Sequence, residues 1–169
     1  MTLPINLNQF QANGFRVVID RENYPTMEFM CSEAVHPGVN GGSVPIPFRG
    51  QTAHMPGDKL DFEQLSLTVY IDEGFKSYEE IFDWVCRANL NKYKAGADNN
   101  FRRSTDITTM ADISIPLMNS SNNQFGKFVY KDCLPVSLSG ITFNAKNAAV
   151  EYPEFTITFD ITNFELTLF

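Results

Sequence analysis

The chain has 169 residues, a formal net charge of −7 and 43% hydrophobic residues, with fifteen Phe and six Tyr among them. A single domain of this size buries roughly 70% of the surface its unfolded chain exposes, so a substantial core is expected. The acidic balance argues against a surface built to neutralise phosphates. No segment approaches the ~20 apolar residues of a membrane-spanning helix.

The opening MTLPINLNQF has neither a basic start nor an apolar run, so no secretory leader is expected. Cys31, Cys86 and Cys133 lie far apart, form no CxxC spacing and have apolar neighbours, which suggests reduced, partly buried thiols. The formal glycosylation sequon at Asn119-Ser120-Ser121 carries no role without secretion.

In chain order the pattern is mainly β with one helix. Residues 14–20 (GFRVVID) predict a strand and 20–25 a turn, and the alternation of 26–31 predicts the second strand of a hairpin. From 35 to 57 there are five glycines and four prolines. Proline removes a ladder donor, so this composition excludes a regular central strand. The expectation is a long extended arm, about 36–57, with a short edge strand near 44–48. Such a length of irregular chain is uncommon in a compact domain unless it is functional.

Residues 60–71 predict one strand, with Leu65, Leu67, Val69 and Ile71 on one face and Ser66, Thr68 and Tyr70 on the other. The helix, about 77–92, follows. Ser77 and Glu80 have capping-box spacing, and Tyr78, Ile81, Phe82, Val85 and Ala88 recur at helical intervals beside Trp84. Its apolar stripe implies packing on a sheet. The polar segment 91–105 carries Lys92, Lys94, Arg102 and Arg103 and reads as a solvated loop. Strands are expected within 107–118, at 127–131 and at 134–141, the last two parted by Asp132 and Cys133. In FTITFDITNFELTLF, 155–169, Phe155, Ile157, Phe159 and Ile161 share one parity, while Phe164, Leu166 and Leu168 take the other. A period-2 pattern that slips by one predicts a β-bulge near Thr162-Asn163, or a strand that changes partners there.

Signatures of chemistry are sparse. His36 and His54 are the only histidines and lack a nearby carboxylate pair, a poor zinc set. No GxSxG elbow occurs, and Gly38, Gly41 and Gly42 lack the Lys-Ser/Thr of a phosphate loop. Asp58, Asp61 and Glu63 do not follow calcium-loop spacing. The carboxylates Asp72 and Glu73 are adjacent at a strand end, where successive side chains diverge, so they cannot converge as an acid–base dyad. Their position ahead of Gly74 and Ser77 suits the positive end of a helix. Asp72, Glu73, Ser77 and Glu80 are therefore expected to form a structural strand–helix junction. Neither an enzyme nor a cofactor is indicated.

The order and spacing of several residues resemble the tail tube proteins of contractile-tailed bacteriophages of the T-even kind. The resemblance is strongest over 29–84. It rests on Phe29 and Cys31, then Pro37-Gly38, then Pro45, Phe48 and Gly50, then Gly57-Asp58. It continues through Phe62, Thr68, Val69, Asp72, Glu73, Phe82 and Trp84, and returns at Leu134-Pro135 and Phe155-Thr-Ile-Thr-Phe159. It implies a β-sandwich or barrel-like domain with one flanking helix, forming hexameric rings that stack into a hollow tube. Hairpin strands would line a channel that DNA traverses without specific binding. The arm, through Pro37, Gly38, Pro45, Phe48, Gly50, His54 and Gly57, would contact neighbouring subunits. Sheath and baseplate proteins would be partners, and the subunit would be made in the host cytoplasm and end in the virion. A tube initiator or terminator of the same fold is the near alternative. A β-sandwich binding module is the alternative from another class.

Overall fold

The computed structural model describes residues 12–19, 30–89, 109–143 and 152–169. Strands β1 (Cys31–Val35), β2 (Val39–Phe48), β3 (Gln51–Phe62) and β4 (Leu65–Tyr70) precede the helix α1 (Lys76–Asn89). Strands β5 (Ala111–Met118), β6 (Gln124–Leu138), β7 (Glu154–Asp160) and β8 (Asn163–Leu168) follow it. All but β2 and β3 belong to one curled, half-barrel sheet in the order β1-β4-β7-β6-β5, with β8 also on β6. Residues 14–18 run along the outer side of β5, with bridges Phe15–Leu117 and Val18–Ser114. The mainly β fold with one flanking helix among the described residues is the one expected. Of the hairpin predicted over 14–31, residues 20–29 lie outside the described residues; of its second strand, 26–31, Met30 is helical and Cys31 opens β1. Residues 90–92 of the helix and the whole of 91–105 also lie outside.

Two expectations about strand boundaries need correction. The separate strands at 127–131 and 134–141 are one strand, β6, bent where Asp132 takes a positive φ of 53°. The Asp132 N–H donates to Asp112 Oδ1 (3.1 Å), and Asp112 Oδ2 accepts from Lys131 Nζ (2.7 Å), which fastens the extra residue against β5. A bulge bends a strand without ending it, and sequence composition alone reads the polar kink as a break. Before the bend β6 pairs with β5 and β8; after it, with β7. The parity slip in 155–169 is the complementary event. The chain changes register between β7 and β8 as its partner strand bends, with Leu134 opposite Asp160 and Lys131 opposite Asn163.

The single strand predicted over 60–71 is also two, β3 and β4, separated at Glu63-Gln64. The parity shows why: Leu60 and Phe62 lie on even positions, whereas Leu65, Leu67 and Val69, all fully buried, lie on odd ones. The core collects Leu65, Leu67 and Val69 from β4, Phe155, Ile157 and Phe159 from β7, and Ile81 and Trp84 from α1. Trp84 packs 5.3 Å from Phe159 and donates its indole N–H to the Thr109 carbonyl (2.9 Å), so the helix is tied to the sheet by both packing and a directed bond.

Candidate assembly surface

The segment expected to be an irregular arm is a long antiparallel hairpin, β2 paired with β3 from Val39–Phe62 out to Phe48–Gln51. The turn residues Arg49 and Gly50 both have positive φ (45° and 83°), as a two-residue type I′ turn requires. The prolines that argued against a strand are accommodated by parity. In such a hairpin the flanking pair Phe48–Gln51 exchanges both hydrogen bonds, and so do Ile46–Ala53 and Val44–Met55. Pro45, Pro47 and Pro56 occupy the alternate pairs, where an N–H would point away from the partner strand. A two-stranded ribbon has only edges, so proline costs it nothing. A register shift between Gly41 and Ser43 brings Gly42 and Gly57 into backbone contact. A Cβ at Gly57 would stand 2.8 Å from the Gly42 oxygen, so the close approach requires glycine there.

Paired residues share a face, which makes the ribbon two-sided. Val44, Ile46, Phe48, Ala53 and Met55, with Gln51 beside Phe48 at the tip, form a mainly apolar face; Ser43, Pro45, Pro47, Thr52, His54 and Pro56 form the other. Every residue of β2 is exposed. Phe48, at the tip, is 64% exposed and Met55 57%, while the Arg49 guanidinium lies 5.6 Å over the Phe48 ring. An isolated hairpin is marginal in water, and an apolar face of this kind marks an interaction surface.

The root is anchored. The His36 ring lies tilted 4.5 Å from Phe128 and edge-on 4.7 Å from Phe164, and its Nδ1 lies 2.8 Å from the Tyr130 hydroxyl. Desolvation lowers the His36 pKa, keeping the ring neutral, whereas burial raises that of Tyr130. Phe62 meets Phe164 edge-on at 5.6 Å. Pro37 is buried. Glu63 closes the base: its N–H donates to the Gly38 carbonyl (3.0 Å), and its carboxylate accepts from the Gly38 N–H (3.3 Å) and the Asn40 amide (3.4 Å). Of the residues expected in the arm, Pro37 and Gly38 thus sit in the root. Pro45, Phe48, Gly50, His54 and Gly57 lie along the projecting ribbon.

At the other end of β4 stands the strand–helix junction. Asp72 terminates the helix's free N–H groups: Oδ2 accepts from Lys76 (3.2 Å) and Oδ1 from Ser77 (2.8 Å). Ser77 was expected to be the cap. It lies instead within the first turn of α1, fully buried, and its hydroxyl donates to Asp72 Oδ1 (2.7 Å). The helix begins at Lys76, two residues earlier than a cap at Ser77 implied, because the carboxylate reaches it from the end of the strand. These bonds, led by the Ser77 N–H, pull the Asp72 pKa down to about 2. Glu73 is exposed beside it, and Glu80 is half-buried on the helix. Tyr70, Ile71, Asp72, Glu73, Phe75 and Pro153 line a largely apolar groove of about 740 Å³ at this junction. Phe75 adopts a positive φ of 56°, and its exposed ring lies 6.3 Å from that of Phe143. Sequence reasoning missed the groove, since its wall joins three elements; the unusual placement of Phe75 after Gly74 was the only local hint.

Among the described residues no three His, Cys, Asp or Glu side chains gather to hold a metal ion. Burial raises the pKa of Cys31 to about 11 and of Cys133 to about 12, leaving protonated thiols.

In fold the chain is similar to a chain of the extended-state sheath–tube complex of PVC, an extracellular contractile injection system. That match has 16% identity and a TM-score of 0.63, and covers 97% of this chain and 95% of that one. It is similar also to a chain from the tube-terminating cap of the anti-feeding prophage, with 14% identity, a TM-score of 0.64, and 99% and 96% covered. A more distant likeness is to Hcp protein, with 10% identity, a TM-score of 0.51, and 89% and 90% covered. At such identities these likenesses show a common fold. No curated protein matches the sequence. The family model of the phage tail tube protein matches residues 1–166, and the chain belongs to that family.

Proposed function

We propose that the protein is the tube subunit of a contractile, T-even-like tail, assembling as hexameric rings that stack into a conduit for DNA. The observation that carries this reading is the hairpin. Its apolar face is exposed, and a neighbouring subunit would bury it. Two other features are consistent. The net charge of −7 disfavours retention of DNA phosphates. The face of β4 and β7 turned from the core pairs Ser66 with Thr158 and Thr68 with Thr156, a half-buried row of uncharged hydroxyl residues compatible with a channel wall. Sheath and baseplate proteins are the expected partners, the host cytoplasm the site of synthesis, and the virion the destination.

The test removes the ribbon. Deleting residues 43–56 leaves Gly42, Gly57, Asp58 and Lys59 to connect the Gly41–Leu60 pair, a four-residue hairpin loop with two glycines. The shortened protein should remain folded, with its melting temperature changed by only a few degrees, yet form neither rings nor tubes by negative-stain electron microscopy. Tubes of normal length would overturn the proposal. Fold likeness to a chain of a tube-terminating cap favours one second reading, a terminator that forms a single ring. Isolated rings of the intact protein would decide for it. A glycan- or peptide-binding module loses its best candidate platform, since Trp84 is fully buried.

A further inference from the structure

We infer that the groove at the strand–helix junction is the receptor for the hairpin tip of a second copy, with Phe48 entering the groove and Arg49 meeting Glu73. This rests on the reading of the hairpin as an assembly element and names the surface it engages. The first argument is topological. β1 and β4 are antiparallel, with Val35 opposite Ser66 and Cys31 opposite Val69. The hairpin leaves the sheet at the Val35 and Leu65 end. The groove lies at the Tyr70 end, where the Ile71 N–H donates to the Pro153 carbonyl (2.9 Å). Tip and groove therefore belong to opposite ends of the same ladder. A contact between unlike ends of identical subunits is heterologous, and it runs on as an open stack when the rotation between copies does not close it into a ring.

Chemistry supplies the second argument. The tip offers one large aromatic ring beside one cation, Phe48 beneath Arg49. The groove offers apolar walls from Tyr70, Ile71, Phe75 and Pro153 and an exposed carboxylate, Glu73. The neighbouring Asp72 carboxylate is engaged by the helix, so Glu73 is the available partner. A groove of about 740 Å³ lies within the range that holds a buried side chain and its flanking residues. The tip does not occupy the groove of its own chain, because Phe48 is exposed.

A photo-reactive phenylalanine analogue in place of Phe48, in full-length protein mixed from isotopically labelled and unlabelled pools, maps the contact by mass spectrometry. The expected cross-links join position 48 of one copy to residues 70–75 or 152–153 of another. Charge reversal gives an independent readout. Arg49→Glu and Glu73→Arg should each raise the concentration needed for assembly roughly tenfold, the loss of about one interfacial charge pair, and the double reversal should recover most of it. Cross-links confined to other surfaces, or to the same chain, would overturn the assignment, as would a double variant no better than its worse parent. Either result, combined with loss of assembly on deleting residues 43–56, leaves the hairpin as an assembly element with a different receptor. Assembly that survives the deletion removes both readings together.

Discussion

Replacing Asp72 with alanine tests whether this carboxylate builds the strand–helix junction. It accepts the N–H groups of Lys76 and Ser77 and the Ser77 hydroxyl, at 3.2, 2.8 and 2.7 Å. Removing a helix-capping acceptor typically costs about 0.5–2 kcal/mol. Here the buried Ser77 hydroxyl would keep only the Tyr70 carbonyl, at 3.3 Å, as acceptor, which places the cost in the upper half, about 1–2 kcal/mol. At this chain length each kcal/mol lowers the melting temperature by about 2–4 °C. The pH dependence follows from the depression of the Asp72 pKa from 3.8 to about 2. A carboxyl whose pKa is lower in the folded state stabilises the fold fully above its unfolded value. That contribution is lost as pH falls through the folded value. Solvent screens this half-buried carboxylate at the domain surface, so the electrostatic part is a fraction of what the shift alone suggests. Thermal melts followed by circular dichroism at pH 7, 4, 3 and 2 should show the gap between parent and Asp72→Ala constant down to about pH 4 and narrowing towards pH 2. Asp72→Asn, which keeps an acceptor and loses the charge, should fall between them. Glu73→Gln should lie within about 0.5 kcal/mol of the parent. An Asp72→Ala protein melting within 1 °C of the parent at pH 7, or a gap undiminished at pH 2, would refute the capping role.

Two further predictions concern the sheet and its helix. At Gly126 an added Cβ would stand 2.9 Å from Leu168 Cδ2 and 3.1 Å from the Thr167 carbonyl. The exposed leucine can swing aside but the carbonyl cannot, so Gly126→Ala should cost about 1–3 kcal/mol and speed amide exchange along β8, with β4 and β7 unaffected. Trp84→Ala should cost about 3–5 kcal/mol in urea denaturation followed by circular dichroism, by emptying the largest core site. Trp84→Phe should cost less, because it keeps the packing on Phe159 and loses the bond to the Thr109 carbonyl. Equal losses in the two variants would mean that the indole bond, and not the packing, holds the helix.

Local periodicity carried much of the fold. The alternation of Leu65, Leu67 and Val69 and of Phe155, Ile157 and Phe159 marked strands that bury those faces. The apolar stripe of α1 marked a helix lying on a sheet. These patterns are legible because a strand or helix displays its period within its own residues, whatever it packs against. The slip of parity before Phe164 likewise announced a register change, although its cause, the bend of β6 at Asp132, lies on another strand.

What the tertiary structure decided is pairing. Prolines at 45, 47 and 56 read as strand breakers until their common parity is known, and that parity is set by the Arg49-Gly50 turn and its partner strand. Capping spacing pointed to Ser77, but the acceptor came from Asp72 on the preceding strand end. The groove joins β4, the helix lead-in and the start of β7, so no single stretch of sequence could outline it. Composition and periodicity determine which residues seek burial and in what local form. Which of them remain exposed, as Val44, Ile46, Phe48 and Met55 do, depends on whether another part of the chain arrives to cover them, and among the described residues none does.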